Sequence, residues 1–374
     1  MAALPDFLLE KYFSHWEFTA RHHLTASDAQ TMKMTELLAL ADDHDRAAWE
    51  SLALGYTETF GDPELRQAIA GTYTMANADD VLCFAGAQEA LYLSMQVLLD
   101  PSDHAVVITP NYQSAETVPL SLCEVTGVAL DPERSWALDL DRVREALRPN
   151  TKVVSVNFPN NPTGAVPGTK TFTQLVRLCD ERGIHLFSDE VSRGVERTHT
   201  LPQAVDLSER ALSLNGTSKS LGLPGLRVGW IVCRDRELRG QLERAKHYTT
   251  ICNSAPSEVL ARIAIKASET ILERNRAIIR TNAPKFDEFF ARHEDLFEWS
   301  SPEGGCVAYP RYLGPDGVEE FCTRLIEEAG VLLLPASIYR SELIDTPADR
   351  FRIGIGRSGP EPALAAFSDW LARR

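Results

Sequence analysis

From about Val81 onward the chain repeats one pattern, a short apolar run rich in β-forming residues followed by an amphipathic stretch. The runs VLCFAG, AVVITP, KVVSVNFP, IHLFSDE, ALSLNG and VGWIVC read as successive buried strands. Strands covered on both faces lose the usual polar alternation, so such runs separated by helical patterns predict a mostly parallel sheet. Helices are predicted at AQEALYLSMQVLL, LDRVREAL and FTQLVRLCDERG, the last closed by Gly183 in the manner of a helix C-cap. After about Lys246 the pattern changes to one long helical stretch, SEVLARIAIKASETILERNRAIIRTNAPKFDEFFARH, then shorter strands around CVAYPRY, GVLLLP and RFRIGIG and a helix at VEEFCTRLIEEAG. The expected fold class is α/β, a mostly parallel central sheet sandwiched by helices in a large domain over 46–245. A smaller α+β domain is expected from 246–374 together with the N-terminal segment 1–45. No internal repeat, low-complexity tract or flexible linker interrupts the chain.

With 374 residues, 44% of them hydrophobic, the chain can bury a core of that kind. Its formal charge of −15, from 38 basic and 53 acidic residues, repels nucleic acid and anionic membranes on average. Asp6, Glu10 and Lys11 interrupt the apolar core that a signal peptide would need, and no stretch is long enough to span a bilayer. A soluble, cytoplasmic protein with neither nucleic-acid nor membrane partners is therefore expected. The seven cysteines show no CxxC spacing and the nine histidines no HExxH pattern, so no dedicated metal site is expected either.

The segment SLNGTSKSLGLPGLRVGW, residues 213–230, carries the strongest chemistry. A strand runs into a turn of small residues, then Lys219, then glycines and Arg227. A lone lysine there would read as a surface residue. Ser218 and Arg227 beside it are both suited to a phosphate, and a lysine so placed can form an imine with an aldehyde cofactor. In this segment the chain resembles the fold-type I, class I/II aminotransferases, which use pyridoxal 5′-phosphate (PLP). The resemblance implies that Lys219 holds PLP as a Schiff base and that Arg227 and Ser218 hold its phosphate.

Further segments fall in family order. NFPNNPTGAV follows the strand KVVSV, at the strand ends where open α/β sheets bind ligands, although by itself it reads equally as a Pro/Gly turn. The resemblance assigns its Asn161 to the cofactor's phenolic oxygen and the substrate carboxylate region. Asp189 ends the apolar run HLFSDEV, where a carboxylate needs a positive partner, and the ring nitrogen of PLP is one. GAQEAL opens a helix directly after a strand, so the backbone amides near Ala87 and Gln88 can bind phosphate. The resemblance further places Tyr112 of PNY on the face of the ring, and sends Tyr56 of GYTETFGDPELRQAIA to the phosphate in a neighbouring subunit. That last match implies a homodimer with shared active sites. Arg352 in RFRIGIGRSG stands where the family keeps an arginine for the substrate α-carboxylate, with Arg350 and Arg357 close enough for the assignment to slip.

Three departures from the family stand out. The position three residues after Asp189, usually a tyrosine that hydrogen-bonds the cofactor's O3′, is Ser192, a cofactor-side residue too short to replace it directly. The serine usual three residues before the lysine is Gly216, for which Thr217 or Ser218 can compensate. The family's N-terminal glycine segment is replaced by WEFTARHHLTASDAQTMKMTELLAL, which offers Trp16, Arg21, His22, His23 and Lys33 as pocket candidates against their reading as surface and packing residues. LPDFLLEKYF and GYTETFGDPELR are also similar to the capreomycidine synthase-type enzymes, PLP proteins that process a hydroxylated arginine by elimination and ring closure.

The expected activity is amino transfer between an amino acid and a 2-oxo acid. The alternatives are elimination, replacement or cyclisation at the same site, and a non-catalytic PLP-binding regulator. The absence of a DNA-binding module and the acidic charge oppose the regulator. A nucleotide-binding enzyme is opposed by the lack of GxGxxG or GxxxxGK[ST] at a strand-to-helix turn.

Overall fold

The computed structural model describes residues 4–374. Its centre is a seven-stranded sheet in the order Val81–Phe84, Gly229–Cys233, Ala211–Gly216, His185–Asp189, Thr151–Asn157, His104–Thr109, Glu124–Ala129. Gly229–Cys233 runs antiparallel to both neighbours and every other pairing is parallel, so the predicted α/β fold class is the observed one. Successive strand residues point to opposite faces. Leu186 accordingly packs with Phe172, Leu175 and Val176 of the helix Thr169–Glu181, while Phe187 packs with Ala90, Leu91 and Met95 of the helix Ala87–Leu98. Helices therefore cover both sides, which is why the strands read as unbroken apolar runs.

Gly183 closes the helix Thr169–Glu181 at a φ of +66°, as expected. Several elements had no counterpart in the sequence reading, among them the helices Leu8–Trp16, Pro63–Ala70 and Arg236–Lys246 and two at the sheet edge. The edge strand Glu124–Ala129 buries only Val128, and the helix Ser114–Leu120 contains Pro119.

The long C-terminal helix is in fact two, Ala255–Lys266 and Ser268–Ala291, separated at Ala267. The break has a packing reason. The first helix buries Val259, Leu260 and Ile263 with Leu65, Val81 and Val232 on the central sheet, whereas the second sends Ile279, Phe286, Phe289 and Phe290 into a separate aromatic core with Phe297, Phe321, Phe351 and Phe367. A division between the domains at Ala267, rather than between 245 and 246, is our proposal from this packing.

The C-terminal unit holds a three-stranded antiparallel sheet, Val307–Ala308, Phe351–Gly354 and Leu334–Pro335. His22–His23 adds in parallel to Val331–Leu332, tying the N-terminal segment to this unit. Residues 1–3 of the expected N-terminal segment lie outside the described residues. Among the described residues no helix is long and apolar enough to cross a membrane.

Candidate active site

Of the eleven residues that the resemblance assigns to cofactor or substrate, ten line one cavity of about 450 Å³: Ala87, Gln88, Tyr112, Asn161, Asp189, Ser192, Ser218, Lys219, Arg227 and Arg352. The cavity opens where the parallel strands end, with Asp189 at the last position of its strand and Lys219 just beyond Ala211–Gly216. Tyr56 is elsewhere, with 92% of its surface exposed.

Lys219 Nζ donates to Ser27 Oγ at 2.9 Å. Burial pushes the ammonium below its ordinary pKa; Asp28 opposes that shift, Arg352 adds to it and Asp189 opposes it. A lysine held this way spends more time as a neutral nucleophile. Asp189 accepts a hydrogen bond from Val191 N at 3.1 Å, and burial lifts its carboxyl to about 6 despite that bond and the nearby lysine.

The start of the helix Ala87–Leu98 is built to meet an anion. Its N-cap is Gly86, at φ +95°, and no side chain caps the exposed amides. A Cβ on Gly229 would stand 2.4 Å from Ala87 N, so close approach of backbone requires that glycine, while Gly86 is required by its φ, a Cβ there standing 2.5 Å from the movable Arg227 Nη2. The Arg227 guanidinium donates only to Pro224 O, at 3.1 Å, and no carboxylate among the described residues pairs with it. An uncapped helix N-terminus beside a guanidinium that bonds only Pro224 O among the described residues can take a phosphate. Gln88 has its backbone amide to offer, since its side-chain oxygen accepts from Ser114 Oγ at 3.0 Å.

Gly216 packs where a larger residue would press on Val228 O at 3.1 Å and Gly229 Cα at 3.3 Å. Thr217 does not compensate for it, because its buried hydroxyl is spent on Leu223 O and Val228 O, both at 3.2 Å. Ser218 is the hydroxyl left facing the cavity. Ser192 also faces it, close to Gly305, and makes no hydrogen bond among the described residues.

Arg352 lies on the strand Phe351–Gly354 with 1% of its surface exposed. It donates to Thr25 O at 2.6 Å and to Asn161 Oδ1 at 3.1 Å, while its Nε has no partner. A buried guanidinium lacking any carboxylate is costly unless a ligand supplies one. Its neighbours are engaged elsewhere, Arg350 over the Trp136 ring at 5.0 Å and Arg357 with Asp28 at 2.7 Å.

The N-terminal segment does reach the cavity, and the five candidates named in it take their alternative reading as surface and packing residues. Trp16, Arg21, His22, His23 and Lys33 do not line it, whereas Leu9, Glu10, Phe13, Glu17 and Ser27 do. Leu9, Phe13 and Glu17 recur at i, i+4, i+8, a helical face that was visible in the sequence. Tyr112 meets this segment as well, its ring 5.2 Å from that of Phe7 and its hydroxyl 3.5 Å from Glu10 Oε1. Asn157 was also missed. It holds Asn161 N at 2.8 Å and donates to Asp189 O at 3.1 Å, thereby linking the two strand ends.

An uncapped helix start beside a guanidinium, a carboxylate on the cavity wall, an aromatic side chain and a half-buried lysine are together the groups that PLP calls for. Comparison with known proteins agrees. The profile of the family "Aminotransferase class I and II" matches residues 24–364. Capreomycidine synthase of Streptomyces vinaceus is 32% identical over 99% of this chain and 93% of its own length. An aspartate aminotransferase of Thermotoga maritima is 29% identical over 76% of each chain. Among solved structures, a PLP-dependent aminotransferase from Streptococcus suis superimposes with a TM-score of 0.92 at 28% identity, covering 100% of this chain and 99% of its own. The PLP-dependent cyclase OrfR superimposes with a TM-score of 0.90 at 26% identity, with the same coverage.

Proposed function

The chain belongs to the class I and II aminotransferase family of PLP-dependent enzymes, and we propose that Lys219 is its reacting lysine in amino transfer from an amino acid to a 2-oxo acid. The observation that carries this reading is the convergence of the Lys219 amine, the Asp189 carboxylate and the Arg227 guanidinium on one cavity. Among the described residues no ion pair accounts for the burial of Asp189 or Lys219, and the exposed Arg227 has no carboxylate partner.

Bound PLP supplies an electron-withdrawing ring that lets the Cα–H bond of an attached amino acid break. The Ala87 and Gln88 amides, Ser218 and Arg227 would hold its phosphate, Asp189 its ring nitrogen, Tyr112 its ring face and Asn161 its phenolic oxygen. Arg352 would take the substrate α-carboxylate as a bidentate partner and so aim Cα at the lysine. Lys219 Nζ, once free, accepts the proton from Cα and returns it at a neighbouring carbon. The N-terminal helix closes part of the cavity wall and limits entry of water.

A second reading, elimination or cyclisation of an amino acid with a leaving group, is favoured by two observations. Ser192 stands where the family's phenol tunes the cofactor oxygen, and Glu10 and Glu17 bring acidic charge to the cavity with no lysine or arginine bonded to them among the described residues. Acidic charge there suits a cationic side chain, as a relative named capreomycidine synthase suggests. The test is to incubate PLP-loaded protein with a panel of amino acids, with and without a 2-oxo acid. Turnover that requires the 2-oxo acid supports amino transfer, and repeated product release without it replaces that reading by the second.

The exposure of Tyr56 supports a homodimer in which this side chain reaches the partner's phosphate site. An enzyme acting in the cytoplasm is part of the same proposal.

A further inference from the structure

The segment that crosses Lys219 is fixed by its main chain. Ala29 N donates to Lys219 O at 2.9 Å, Gly354 N donates to Leu24 O at 2.7 Å, and Arg352 Nη2 reaches Thr25 O at 2.6 Å. Glycines bring the neighbouring strands in close: a Cβ on Gly354 would stand 2.3 Å from Ala26 O, and one on Gly222 would stand 2.6 Å from Gln30 O. Ser27 sits in the middle of this stretch with its side chain on the cavity wall. Its Oγ accepts the one hydrogen bond that the Lys219 amine makes among the described residues, at 2.9 Å.

From this geometry we infer that Ser27 is a positioning residue, whose hydroxyl holds the free Lys219 amine in line for proton transfer at the substrate Cα. The inference rests on the reading that Lys219 is the reacting lysine. A lysine ends a flexible four-carbon stem, and an amine left to wander over that stem meets Cα only part of the time. A hydroxyl that accepts one N–H restrains the amine without consuming its lone pair, which stays available to take a proton. In the step itself the Cα–H bond breaks, its proton goes to the Nζ lone pair, and the electron pair stays with substrate and cofactor. The same nitrogen later gives the proton back, so no further reactant is needed. The charged and titratable groups around the amine are Asp28, Arg352, Asp189 and Cys306, none of which hydrogen-bonds it. Substituting Ser27 therefore removes the restraint and leaves the surrounding charges in place.

Two variants of the full-length protein, S27A and S27T, test this. The first readout uses PLP-free protein shown to be folded by circular dichroism, in which reductive methylation of Lys219 is followed by peptide mass spectrometry between about pH 6 and 10. A hydroxyl that accepts from the ammonium stabilises it, so S27A is expected to move the midpoint down by about half a pH unit while S27T keeps it. The second readout uses PLP-loaded protein: S27A is expected to lose roughly tenfold in kcat with KM within about twofold, and S27T to stay near the parent. A parent-like midpoint and kcat in S27A would overturn the inference, as would equal losses in S27T. Should PLP prove not to attach to Lys219 at all, the functional reading fails separately, because the methylation midpoint reports the Ser27 contact without cofactor.

Discussion

Asp189 is held in a place that costs the folded chain stability and, in the proposed reading, would give the cofactor a partner. Burial lifts its carboxyl from 3.8 to about 6, so between about pH 4 and 6 the folded chain binds a proton that the unfolded chain has released. Stability from this group is therefore present at low pH and is lost as pH rises through that window. Glu190 and Glu258, lifted by burial to about 7, add slope of the same sign, so the informative quantity is the difference between parent and variant. D189N stays neutral; without PLP it is expected to be more stable than the parent at about pH 7, by roughly 2 kcal/mol, with the two converging near pH 4. Denaturant unfolding at both pH values measures this, and parallel pH profiles would contradict it. Lys219, Asp189 and Arg352 were legible in the sequence because the chemistry demands those residue types beside recognisable turns and strands. Ser27 and Asn157 were not, since a small polar residue in a polar stretch carries no mark of what it will face once the chain folds. Thr217 shows the converse: a hydroxyl placed well in sequence is turned inward by the strand pair it caps.

At the scale of elements, the phosphate cradle depends on one helix start and two glycines. G86A keeps the helix sequence but puts a Cβ 2.5 Å from Arg227 Nη2 at a backbone φ of +95°, so the guanidinium must move. The expected result is PLP affinity weakened by roughly tenfold or more, the loss of one charge-assisted contact. Equilibrium titration with PLP measures it, and parent-like affinity would show that the cradle lies elsewhere. The apolar runs revealed every strand that is buried on both faces. They could not reveal Glu124–Ala129, an edge strand with a single buried residue, or Ser114–Leu120, a helix that tolerates an internal proline. The break at Ala267 was also hidden, because both flanking helices are amphipathic and only their choice of partner, central sheet or aromatic core, separates them.

For the whole molecule, the site is assembled from both ends of the chain: the N-terminal segment adds to a C-terminal strand and crosses over a lysine held by the central sheet. Tyr56 and Tyr248 are 92% and 89% exposed, and the proposed dimer would cover Tyr56. Light scattering is expected to give twice the chain mass, and a monomer at micromolar concentration would remove the proposed role of Tyr56. Sequence order alone carried the fold class and ten of the cavity residues, while the N-terminal lining and Asn157 escaped it and the reaction outcome depends on side chains from both units that no single motif joins. The central claim, that Lys219 carries PLP, is tested most directly by treating PLP-loaded protein with borohydride and mapping the attached cofactor by peptide mass spectrometry. One PLP per chain on the peptide containing Lys219, absent in K219A, is the expected result; attachment to another lysine, or to none, would contradict it.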